Sequence, residues 1–154
     1  MGGTTIRSTE VCSQPVDVVW NIVTDASAFH ALFIPHVYEP FDTSTAQVGT
    51  EFRGFSVMGS SSWRMFVTDW EPMARFGFGS FPGLPAFAFD LEPDGSNTRV
   101  TFTRVFHAPS ILERTILRFR WRAEIRGMCE ETTDRLSGAC ARLYMGKPDG
   151  LERT

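Results

Sequence analysis

Residues 110–145 read SILERTILRFRWRAEIRGMCEETTDRLSGACARLYM, and this stretch decides the fold. Ser110-Ile111-Leu112-Glu113 is a capping box: the serine hydroxyl accepts a first-turn amide, and Glu113 reaches back to the amide of Ser110. Gly146 and Pro148 supply the stop signal at the other end. Between them Leu117, Trp121, Ile125, Met128, Thr132, Leu136, Ala139 and Leu143 recur at spacings of three and four, which puts them on one stripe of a helix. Arg122, Arg126 and Glu130 take the opposite side. A helix with one such stripe buries it against a large partner.

Everything upstream supplies that partner. Thr4–Cys12 is predicted as a strand, Pro15–Thr24 as a short amphipathic helix and Ala26–Leu32 as a second one. From His36 the apolar period becomes two. Strands are predicted over His36–Phe41, Gly49–Met58, Trp63–Glu71, Arg75–Phe81, Ala86–Leu91 and Arg99–Phe106, separated by short turns rich in Gly, Pro, Ser, Asp and Asn. Short connections favour antiparallel neighbours. The expected class is α+β: a curved antiparallel sheet of six or seven strands, with two short helices, around the long C-terminal helix. Strand parity assigns the covered face to Phe52, Trp63, Met65, Val67, Phe76, Phe78, Phe87, Phe89, Leu91, Val100, Phe102 and Phe106.

The 154 residues fit one domain, with 146–154 as a loose tail. A net charge of -3 argues against nucleic acid and anionic membrane surfaces as partners. No stretch is apolar enough to span a bilayer, and the N-terminus lacks the pattern of a secretory signal. The three cysteines imply no disulfide framework, since Cys129 and Cys140 are about 16 Å apart along one helix; a reducing cytoplasm is the expected compartment. Fourteen Phe and four Trp imply an interior that is either very aromatic or encloses something; their excess favours an aromatic-lined cavity suited to a flat or conjugated ligand.

The motifs Pro15-Val16-Asp17-Val18-Val19-Trp20, Val23-Thr24-Asp25, Val48-Gly49-Thr50-Glu51-Phe52-Arg53, Val67-Thr68-Asp69-Trp70-Glu71-Pro72 and Thr98-Arg99-Val100-Thr101-Phe102 resemble the START-like, helix-grip superfamily (SRPBCC), and within it the polyketide cyclase/dehydrase and lipid-transport family. The resemblance runs from about Thr5 to Met145. It implies a sheet gripping the C-terminal helix around an apolar cavity that binds hydrophobic small molecules. Some members cyclise, aromatise or dehydrate polyketides, and others carry or sense ligands. Aromatase/cyclase members tend to carry an arginine near the end of the strand that here runs Trp63–Glu71; this chain has Asp69 or Trp70 there, and Arg64 earlier.

A cavity enzyme of this kind needs an acid or base and a group that steadies an enolate. Charges on the interior parity are the candidates: Arg104 as the anion anchor, Glu39 as a base, and Asp69. Phe52, Trp63, Met65, Phe76, Phe78, Phe87, Phe89 and Phe102 are the expected ligand-lining residues, with Trp121 and Met128 on the helix as the opposite wall. His30, His36 and His107 do not form a recurrent ligand spacing, so no metal is expected, and no redox cofactor. Five arginines between Arg114 and Arg126 are read as a solvated helix face, because acidic residues follow at once. The expected function is cyclisation or dehydration of a polyketide-derived substrate; the alternative is a non-catalytic carrier or sensor of a lipid or quinone. A homodimer is left open. An unbroken 110–145 helix would be about 52 Å long, twice an eight-residue strand. A bend is therefore expected at Gly127 or in Arg118–Arg122, with 112–119 as a lid.

Overall fold

The computed structural model describes residues 4–25, 36–56, 61–106 and 122–145. Its elements are β1 (Thr4–Cys12), α1 (Val16–Thr24), β2 (His36–Tyr38), β3 (Glu51–Ser56), β4 (Ser62–Glu71), β5 (Arg75–Gly79), β6 (Phe87–Asp94), β7 (Asn97–Phe106) and α2 (Arg122–Met145). Strands β2 to β7 follow one another across the sheet, and β1 returns to pair with β7 at the far edge, giving the order β1-β7-β6-β5-β4-β3-β2. Every pairing is antiparallel. The result is the expected α+β arrangement, a curved sheet gripping the C-terminal helix.

Burial follows the period of two. Phe76, Phe78, Phe89, Val67 and Val100 are fully buried on one face, while Arg75, Gly77 and Gly79 occupy the alternate positions of β5. Helix α1 starts with Pro15 at its N-cap and buries Val19, Trp20 and Val23, the spacing its sequence predicts.

Helix α2 lies mainly against β1, where Ser8 Oγ and Thr133 Oγ1 are 3.0 Å apart. Its C-terminal half is tied in by Gln14, whose Nε2 donates to the Cys140 carbonyl at 3.2 Å, while Thr98 Oγ1 donates to the Gln14 carbonyl at 2.8 Å. Cys12, Cys129 and Cys140 are free and buried.

Four expectations need correction. The buried stripe of α2 keeps the expected Ile125, Thr132 and Leu136 but adds Cys129, Thr133 and Cys140 in place of Met128, which is 42% exposed. Small thiols and hydroxyls let the helix approach the sheet closely. The Thr132 and Thr133 hydroxyls are satisfied by carbonyls three or four residues back, so burying them leaves no orphan donor. Second, α2 is helical without interruption through Gly127, so the helix does not break there; the other expected position, 118–122, falls on residues that are not described up to the start of α2. Third, β2 ends at Tyr38 rather than Phe41: Tyr38 is the inward residue, and Glu39 is exposed with its amide bonded to the Arg53 carbonyl. Fourth, Asp69 is not interior. The β4–β5 register shifts between Val67, opposite Phe78, and Asp69, opposite Gly77. Thr68 is the extra residue of a bulge, and the slip turns Asp69 outward and Trp70 inward.

The capping box at 110–113, the second helix at 26–32, the lid at 112–119, His30, His107, Trp121 and the 146–154 tail lie outside the described residues.

Candidate functional site

The inner face carries a continuous aromatic band. Trp20 meets Trp70 with ring centroids 5.1 Å apart, and Trp70 meets Phe76 at 5.6 Å. Phe76 stacks on Phe78 at 5.4 Å and Phe78 on Phe87 at 5.1 Å. Phe87 then stacks toward Phe102 at 6.2 Å, and Phe89 packs on Phe102 at 4.9 Å. Register makes the band: Phe76, Phe89 and Phe102 lie side by side across β5, β6 and β7, and so do Phe78 and Phe87, with Arg104 next in the row. Cross-strand aromatic neighbours stack in this way because alternate side chains share one face.

Among the described residues, one recess opens at the Phe87 end of the band and another lies beside it. One, of about 320 Å³, is lined by Tyr38, Trp63, Met65, Ser80 and Phe87. The other, of about 330 Å³, is lined by Arg104, Phe106, Glu124, Ile125 and Met128. Phe87 separates them, since its ring faces the Arg104 guanidinium at 5.2 Å. Gly54 allows the first recess its shape: a Cβ there would collide with the Trp63 indole, which lies over it.

Arg104 is held by apolar partners. Its guanidinium lies 4.7 Å from the Phe106 ring centroid as well as over Phe87, and Nη1 points to Met128 Sδ at 3.7 Å. Among the described residues no carboxylate pairs with it. Burial pushes its pKa down, against the attraction of Cys129 and Tyr38. It nevertheless stays charged near neutrality, as guanidinium does in proteins. Tyr38 is 3% exposed. Burial raises its pKa to about 12, opposed by the positive charge of Arg104. It is therefore a neutral phenol across the physiological range, able to donate a hydrogen bond. Burial likewise raises the Cys129 thiol, which remains protonated.

Of the residues expected from sequence, Arg104, Phe87, Trp63 and Met65 line the two recesses, while Phe52, Phe76, Phe78, Phe89 and Phe102 line neither and are buried in the hydrophobic core. Met128 lines the Arg104 recess from its exposed position on α2. Glu39 is exposed, away from both recesses. Asp69 is on the outer face, where it accepts from Arg75 Nε at 3.1 Å and from Thr68 Oγ1 at 3.0 Å; Arg75 also reaches Asp90. Sequence reasoning did not single out Tyr38, Ser80, Phe106 as a ligand contact, or Glu124. Tyr38 lies one residue from the wrongly chosen parity of β2; Glu124 gives no signal in sequence, because only the docking of α2 brings it beside Arg104. Among the described residues no three His, Cys, Asp or Glu side chains come together as metal ligands do, and no helix is long and apolar enough to cross a membrane.

Solved structures share this architecture over nearly its whole length. The ZhuI aromatase/cyclase from Streptomyces sp. R1128 superposes with a TM-score of 0.69 at 14% identity, covering 97% of this chain and 100% of that one. The fold is the helix-grip fold. The Polyketide_cyc-like protein Cgl2372 from Corynebacterium glutamicum has a TM-score of 0.63 at 20% identity, with coverage of 97% and 99%. TTHA0849 from Thermus thermophilus has a TM-score of 0.61 at 17% identity, with coverage of 91% and 99%. No protein-family model and no curated protein matches the sequence. At these identities the likeness is one of helix-grip architecture, and a helix-grip frame hosts more than one activity.

Proposed function

We propose that this helix-grip chain binds a flat, hydrophobic, polyketide-derived small molecule on its aromatic band and promotes its cyclisation or dehydration. The observation that carries the reading is Arg104: a guanidinium on the inner face, between Phe87 and Phe106, with no carboxylate partner among the described residues. An unpaired charge beside apolar walls is expensive unless something anionic is meant to meet it. An enolate or phenolate oxygen is such a group, and low local dielectric strengthens the attraction.

In the proposed cycle the ligand stacks on Phe87, the partly exposed ring of the band, which fixes its conformation and brings distant carbons together. A base removes a proton from a carbon next to a carbonyl, Arg104 stabilises the enolate, and the Tyr38 phenol donates to the acceptor carbonyl. Among the described residues Glu124 is the carboxylate lining the Arg104 recess, and we assign it the base role in place of Glu39 and Asp69. The aromatase/cyclase among the structural neighbours supports the reaction class.

A carrier or sensor is the second reading. The exposed positions of Glu39 and Glu124 and the outward turn of Asp69 favour it, because none of the three carboxylates is buried. Product analysis separates the two. The protein is incubated with a poly-β-ketone thioester mimic, and products are resolved by mass spectrometry for wild type, Arg104→Ala, Tyr38→Phe and Glu124→Gln. Wild type is expected to accelerate loss of water from the mimic, and each variant to slow it more than it weakens binding. A ligand that binds and returns unaltered from wild type makes the protein a carrier. Equal turnover in wild type and Arg104→Ala refutes the anchor role.

A further inference from the structure

We propose that Arg7, Arg122 and Arg126 form a binding site for a phosphate-bearing group. The three line one recess of about 400 Å³ together with Thr5 and Ile6. They reach it from two elements: Arg7 from the solvent-facing side of the edge strand β1, and Arg122 and Arg126 from successive turns of α2. Read from sequence, the arginine run is a helix face balanced by acids. In the fold that balance is not made here. Arg64, Arg75, Arg99 and Arg135 each hold a carboxylate. Among the described residues none pairs with Arg7, Arg122 or Arg126, although the chain is acidic overall.

Arg122 and Arg126 are also four apart on the helix, where like charges repel. A third guanidinium against that pair is unfavourable unless an anion neutralises it. Strand β1 is the outermost of the sheet, so part of its backbone N–H and C=O has no ladder partner at this edge. Three planar forks approaching from a strand and a helix suit a tetrahedral oxyanion carrying up to two charges. A lone carboxylate is satisfied by a single fork.

The recess borders the Arg104 site without belonging to it. Ile6, which lines it, is opposite Arg104 in the β1–β7 register. Ile125, between the two helix arginines, lines the Arg104 recess, and so does Glu124, the nearest acid in sequence. If the proposed function is right, the ligand is amphiphilic, with a conjugated body on the aromatic band and a phosphate at the β1 edge; that clause rests on the previous reading, and the anion site does not.

The test is calorimetric titration with inorganic pyrophosphate at low salt. Wild type is expected to bind. The double variant Arg7→Ala/Arg126→Ala is expected to bind about a hundredfold more weakly, at about tenfold per charge-assisted contact. The double variant Arg53→Ala/Arg142→Ala, which removes two other unpaired exposed arginines, and Arg104→Ala should each bind like wild type. Absence of binding by wild type overturns the proposal. Equal losses in the two double variants also overturn it, since that is diffuse attraction. A loss in Arg104→Ala as large as in Arg7→Ala/Arg126→Ala places the anion in the neighbouring recess and overturns it too. Glycerol 3-phosphate and phosphatidylcholine vesicles containing phosphatidic acid then distinguish the sources: competition by the first assigns a soluble ester, pyrophosphate-sensitive co-sedimentation with the second a lipid headgroup, and either supports the site. Failure of the product assay leaves the pyrophosphate result standing, so the two readings fail separately.

Discussion

Arg75 and Arg104 lie on opposite faces of one sheet and live by opposite rules. Arg75, on the outer face, holds Asp69 and Asp90 at once. The cluster is about one-third exposed, and its job is cross-strand pairing of β4, β5 and β6. Arg104, on the inner face, has two aromatic rings, a thioether and, among the described residues, no carboxylate in an ion pair with it, although Glu124 lines the same recess. Gly77 marks the same division, since a side chain there would drive into the Asp69 carboxylate and break the outer cluster without touching the inner face.

The comparison can be broken most forcefully at the aromatic band. Phe78→Ala is expected to cost about 3–5 kcal/mol, because a fully buried ring contacting Phe76, Phe87 and Phe52 leaves a cavity. Denaturant unfolding measures it, and a loss below about 1 kcal/mol would mean that the band is not the core. Arg104→Ala should lower turnover by about 10²–10³, the effect of removing an oxyanion donor, while leaving the unfolding midpoint nearly unchanged. A marked fall in stability instead would make Arg104 a structural residue like Arg75.

Tyr38 sharpens the inner-face half through pH. Its folded pKa of about 12 is above the ordinary value of 10.0. The phenol is protonated in both states below pH 10, so its contribution is fully present there. As pH rises from 10 to 12 the unfolded chain ionises first, and stability falls by up to about 3 kcal/mol. Alkaline unfolding of wild type against Tyr38→Phe should show the extra decline only in wild type; parallel curves would contradict the burial of the phenol. Arg75→Ala comes last. Its partners are partly solvated, so a loss of about 1 kcal/mol is expected, with ligand binding intact. A change in ligand affinity would show that the two faces are not independent.

Alternating apolar residues located Phe76, Phe78, Phe87, Phe89, Val100 and Phe102 on the inner face from the sequence alone, because a strand's side chains alternate strictly. The same rule failed at Asp69, where one bulged residue reverses parity with no compositional mark, and at Glu39, where a short strand offers too few residues to choose between faces. Met128 and Cys129 differ by one helical step of about 100°, less than a hydrophobicity pattern resolves when small cysteines and threonines carry the contact.

Local sequence therefore determined which segments are strands and helices, which face of the sheet is apolar, and that Arg104 stands among phenylalanines. Those properties depend on neighbours two to four residues away. Tertiary structure alone decided that Tyr38 and Glu124 line the recesses, that Asp69 turns to the outer face, and that Arg7 lines one recess with Arg122 and Arg126. Each of these depends on how distant segments dock: the bulge in β4, the return of β1 to the far edge, and the seating of α2 against it. The long helix dominated the sequence, yet its local pattern alone did not reveal which of its described arginines would pair with acids and which would not.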